Sequence, residues 1–134
     1  MHDITSDSDI KELVDAFYAK VNRDPLLAPV FNDFAKVNWS EHLPLLYSFW
    51  STLLFRAGSY KGQPFPKHLL LPVAREHFAR WILLFTQTVD ELFEGPKANE
   101  AKGFALSIAD TFQRRMGLLT EWEQLLSEVT KSRA

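Results

Sequence analysis

The chain has 134 residues, no cysteine and a formal net charge of -2, and aromatic side chains make up 13% of it. That length suits one hydrophobic core, hence a single domain over 1–134, and the charge gives no electrostatic case for nucleic acid or an anionic membrane surface. The missing thiols exclude disulfides and thiolate-held metals, no stretch nears the ~20 apolar residues of a membrane span, and no apolar leader is visible, which sets the expectation of a cytoplasmic protein.

Periodicity is helical nearly throughout. In "SDSDIKELVDAFYAKVNRDP", Ser and Asp precede the first turn as candidate N-caps, and Ile10, Leu13, Val14, Phe17 and Val21 recur at helical spacing. Asp24-Pro25 ends this helix, because the residue before proline is pushed out of the α region. A turn-rich connector, "LLAPVFNDFAKVN", carries Phe31 and Phe34. The second helix begins between Ser40 and Leu43, tolerating Pro44 near its first turn, and Gly58 is a natural stop. From Ser59 to Pro72, glycine and proline breaks leave room for little more than a turn around His68. A third helix runs from about Ala74 to Phe93 and closes at "EGP". A fourth spans Lys97 to about Val129, with Phe104, Ile108, Phe112, Leu119 and Trp122 on one side. No alternating strand is found, so the chain reads as all-α.

Dedicated catalytic motifs are missing. There is no His-Glu-x-x-His, EF-hand loop, Gly-x-Ser-x-Gly turn or Walker loop. His68 and His77 lie nine residues apart with Pro72 between them, so one helix cannot present both to a metal. His68 stands between Pro66 and Pro72 beside Leu69, Leu70 and Leu71, a rigid apolar setting for an imidazole. A buried histidine bonded to a carbonyl would explain that as well. His77 opens a helix, where capping or solvent contact accounts for it. On the second helix His42, Leu46, Phe49, Trp50 and Leu53 share a face, and on the third Phe78, Trp81, Phe85 and Leu92 form a comparable stripe. Each is adequately explained as core. Together they describe a pocket walled by Phe and Leu with polar tips at Tyr18, His42 and Trp81. A haem, a flat apolar disc whose iron accepts one protein imidazole, would fill it.

Three separated stretches, "DAFYAKVNRDPLLAPVF", "HLPLLYSFW" and "YKGQPFPKHLLLPVAREHFARWILLF", resemble the truncated haemoglobins in sequence and mutual spacing, and group III most closely. The resemblance runs from about Asp9 to Phe112. It implies a shortened globin fold, a two-over-two helical sandwich around noncovalent haem b. It makes His68 the proximal iron ligand and leaves His77 outside the iron's coordination. Tyr18, His42 and Trp81 match the family's distal residues, Phe31 the aromatic packed on the haem, and Leu46, Phe49 and Trp50 the distal wall. The paired glycines of other truncated groups are absent, "NDFAKVN" standing at the first site and only Gly58 and Gly62 at the second, as group III implies. Phe49 and Trp50 would crowd the ligand tunnel of those other groups. Tyr60, Lys67, Arg75 and His77 neighbour the proximal segment and are candidates for the haem edge.

The resulting expectation is a protein that binds O2, NO, CO or similar small ligands. Nitric oxide detoxification or peroxidase-like turnover suits it better than bulk oxygen transport, and would need a partner reductase. Two alternatives stay open: a six-coordinate haem redox or sensor protein using His42, and a haem-free helical interaction domain.

Overall fold

In the computed structural model, which describes residues 1–34, 36–56 and 73–116, helices α1 (Asp7–Arg23), α2 (Trp39–Phe55), α3 (Arg75–Leu92) and α4 (Pro96–Arg115) follow one another in that order. A single π-helical turn, Pro29–Phe34, stands between α1 and α2. There is no strand among the described residues. His68, Tyr60, Lys67, Gly58, Gly62, the rest of the Ser59–Pro72 segment, and the expected continuation of the last helix to Val129 lie outside them.

The fold is built as two helix pairs. α1 packs on both α2 and α3, α3 packs on α4, and α2 touches α4 more lightly. The α1 stripe read from spacing is the centre of the core: Leu13, Val14, Phe17 and Val21 are fully buried, with Ile10 beside them. Ser6 caps this helix, its hydroxyl accepting the Asp9 N–H at 3.3 Å, while Asp7 and Asp9 at the start and Lys20 and Arg23 at the end complement the helix dipole. At the other end the Asp24 carboxylate accepts the Leu26 and Leu27 N–H groups and pairs with Arg80 of α3 at 2.6 Å. The chain therefore turns at Asp24-Pro25 while α1 is tied to α3.

One expectation needs correction. α2 begins at Trp39, earlier than Ser40–Leu43, because the Asn38 carbonyl already accepts the Glu41 and His42 N–H groups. Pro44 therefore sits in the second turn and removes one intrahelical bond there. The helix stops at Phe55, with Arg56 in the left-handed conformation (φ 56°). In α4 the deepest residues form an alanine seam, Ala98, Ala101, Ala105 and Ala109, with Phe104 and Ile108 of the expected stripe partly buried and packed against the core. Small side chains let two helix axes approach closely, and the larger residues flank the seam.

The N-terminal segment completes the core. Ile4 is buried, and the Asp3 carboxylate accepts the Lys97 and Ala98 N–H groups at 2.9 and 2.8 Å, capping α4 from far away in sequence. Gly95, at φ 139°, is required in this cap, since a Cβ there would meet Asp3 Cγ at 2.6 Å. Lys97 also reaches back to the Leu54 carbonyl at the end of α2, 2.7 Å away.

Candidate functional site

α2 and the π-helical turn on one side, and α3 and α4 on the other, enclose an apolar pocket with an empty volume of about 1180 Å³, its open mouth included. Leu27, Val30, Phe31, Leu46, Phe49, Trp50, Phe78 and Ile108 supply most of its wall. Leu45 lines it while remaining half exposed, which puts the mouth beside the first turns of α2. Polar groups enter at Tyr18, His42, His77 and Trp81.

Tyr18 comes from the buried face of α1, and burial pushes its phenol up to about 12, offset in part by a hydrogen bond with Trp81. An indole can only donate, so the phenol oxygen is the acceptor in that pair and its own proton remains to be donated. The Trp81 ring is fixed by stacking on Phe85 (centroids 5.8 Å apart, planes 12° apart) and by the edge of Phe17 at 5.6 Å. Phe85 in turn stacks on Trp50 at 4.8 Å, which carries the column into the core. His42 meets Tyr18 edge-on at 6.5 Å and Trp39 at 5.7 Å.

The structure thus brings Tyr18, Phe31, His42, Leu46, Phe49, Trp50, His77 and Trp81 to one cavity. Arg75 is not among its lining residues; it borders a separate shallow groove with Glu76, Ile82 and Leu106. His77 serves the helix start as well, its Nδ1 accepting the Ala74 N–H at 2.9 Å. With Nδ1 as acceptor, the neutral ring carries its proton on Nε2. The liners Leu27, Val30, Val73 and Ala109 were not singled out from sequence, being small or aliphatic residues in turns and on the alanine seam. Trp39 escaped notice too, because the expected helix start fell after it.

An apolar wall with a few convergent polar groups is the usual character of a ligand or cofactor site. A family model described as bacterial-like globin matches residues 2–116. The chain belongs to the bacterial-like globin family. Within curated proteins it is similar to the group 3 truncated haemoglobin ctb of Campylobacter jejuni, 34% identical over 111 residues that cover 80% of this chain and 87% of that one. Among solved structures it is similar to the crystal structure of group III truncated haemoglobin from Campylobacter jejuni, with a TM-score of 0.78, 33% identity, and coverage of 87% of this chain and 95% of that chain. The resemblance read from the three sequence stretches is therefore sustained, as is the all-α globin fold. Globin membership implies haem-based binding of small diatomic ligands such as O2. No described helix is long and apolar enough to cross a membrane.

Proposed function

We propose that this chain is a haem-b protein that holds a diatomic ligand tightly for oxygen or nitric oxide chemistry, working in the cytoplasm with a separate reductase. The observation that carries the reading is the convergence of Tyr18, Trp81 and His42 on one apolar cavity. His68 would hold the iron, supported by its clamping between Pro66 and Pro72 and by its match to the family's proximal residue. Bound there, haem supplies an iron centre that takes one protein imidazole and one small ligand.

The chain's own residues supply the rest. Leu46, Phe49, Trp50 and Phe31 exclude water and present flat apolar surface to the ring. Tyr18, kept protonated by burial, donates its O–H toward a polarised ligand, and the Trp81 N–H, given to the phenol oxygen while the site is empty of ligand, turns to the ligand as a second donor. Hydrogen bonds of this kind are worth about 1–3 kcal/mol each, so two of them slow ligand release by roughly 10²-fold. Slow release suits reaction of the ligand better than its delivery. His42, on the loosened first turn of α2, stands near the mouth and gates entry. His77, with its proton on Nε2, is placed to donate to a carboxylate at the haem edge.

The optical spectrum of the purified protein tests this. An intense Soret band of high-spin or mixed form supports the reading. A low-spin six-coordinate spectrum would assign His42 to the iron, and no haem band after haem addition would return the aromatics to core packing.

A further inference from the structure

Trp39 does not line the pocket, yet its ring touches three residues that do. Its centroid lies 5.4 Å from Tyr18, 6.0 Å from Phe31 and 5.7 Å from His42. The indole N–H donates to Asn32 Oδ1 at 2.8 Å, and Asn32 Nδ2 donates to Asn22 Oδ1 at 2.8 Å. Because an indole offers a donor and nothing else, it fixes which end of the Asn32 amide faces it. The amide nitrogen is thereby turned toward Asn22. One chain of bonds so links the end of α1, the π-helical turn and the first turn of α2.

That first turn receives little from its own backbone signals. Asn38 makes no side-chain capping bond, and Pro44 deprives the Ser40 carbonyl of its intrahelical donor. Both amide bonds are exposed to solvent, so they contribute little to global stability. Their position gives them a local effect instead, on the turn that carries Trp39 and His42.

We propose that Asn32 and Trp39 form a latch on this turn: the indole bond holds Trp39 against Tyr18 and His42 and sets how often the mouth of the pocket opens. Trp39 is a positioning residue, acting on ligand entry through His42 and Tyr18. The ligand part rests on the globin reading; the latch is a property of the chain itself.

Three variants separate the bond from the bulk. Asn32→Asp keeps an oxygen acceptor for the indole, Asn32→Leu removes it, and Trp39→Phe keeps a ring but has no donor. The first readout is solvent exchange of the Trp39 indole proton by NMR, in the full chain as purified, under carbon monoxide so that any iron is diamagnetic. Exchange is expected to speed up roughly 3–10-fold in Asn32→Leu, the range one such bond allows, and to stay at the wild-type rate in Asn32→Asp. The second is bimolecular carbon monoxide recombination after flash photolysis. It should rise by a similar factor in Asn32→Leu and Trp39→Phe and remain at the wild-type rate in Asn32→Asp. Unchanged rates in Asn32→Leu and Trp39→Phe, or an Asn32→Asp variant as fast as Asn32→Leu, would overturn the latch. A wild-type chain without a haem band counts against the globin reading alone, and indole exchange then decides the latch by itself.

Discussion

At Tyr18 two forces act on one proton. Burial in an apolar wall disfavours the phenolate and pushes the group up to about 12, while the Trp81 indole N–H, which would stabilise an oxyanion, pulls the other way. Burial wins, so the residue is a neutral donor at any physiological pH. The stability consequence has a definite sign. An unfolded chain ionises Tyr18 near its ordinary value of 10.0, so the contribution is complete below that pH and is lost as pH rises toward 12. At about 1.4 kcal/mol per unit the loss is roughly 2–3 kcal/mol, and Tyr18→Phe should flatten this alkaline limb in denaturant titrations between pH 9 and 12. The same substitution removes a donor from the pocket, as Trp81→Phe does. Each should speed O2 dissociation by roughly 10-fold or more, and the double variant should fall short of the product because both donors address one small ligand. Stopped-flow release rates unchanged in both single variants would return Tyr18 and Trp81 to plain packing.

Helix ends determine how well each element could be read. α1 was legible because its apolar residues, its Ser6 cap and its Asp24-Pro25 stop are all local signals. α4 was less so. Its cap comes from Asp3, far away in sequence, and only the folded chain brings the two together. Its buried face is an alanine seam, and alanine marks a helical period weakly beside phenylalanine. The start of α2 was missed because Pro44 suggests a first turn, whereas Asn38 and Trp39 begin the helix before it. Asp24 yields a test at this scale. Its burial raises the cost of a charge, yet the Arg80 guanidinium and the Leu26 and Leu27 N–H groups outweigh that and hold the carboxyl below its ordinary 3.8. A depressed carboxyl stabilises the fold above that value, and the contribution is lost as pH falls through the folded-state pKa. Asp24→Asn should therefore cost roughly 1–2 kcal/mol at neutral pH, discounted for the partly exposed Arg80, and weaken the acid limb of a thermal-melt series from pH 6 to 2. Equal losses in variant and wild type across that series would place the acid sensitivity elsewhere.

Over the whole molecule, the paired helices leave a cavity beside the packed core. The surplus of aromatic residues accounts for both parts: Phe17, Phe85 and Trp50 fill the interior, and Phe31, Phe49, Phe78 and Phe112 face the cavity. Spacing could place Tyr18, His42 and Trp81 on inward faces, but that they share one cavity depends on how α1, α2 and α3 cross. The sequence setting sets His68, between Pro66 and Pro72, apart from His77 at a helix start, but only the resemblance to the truncated haemoglobins assigns His68 to the iron. The folded chain gives His77 a bond to the Ala74 N–H at the start of α3, a duty independent of any cofactor. The most direct test of the globin reading therefore sets these two residues against each other in a haem titration followed at the Soret band, with imidazole added afterwards. The account predicts that His77→Gly takes up haem with the wild-type spectrum, while His68→Gly loses haem readily or holds an iron that accepts free imidazole. The reverse pattern, with His77→Gly failing and His68→Gly normal, would contradict it.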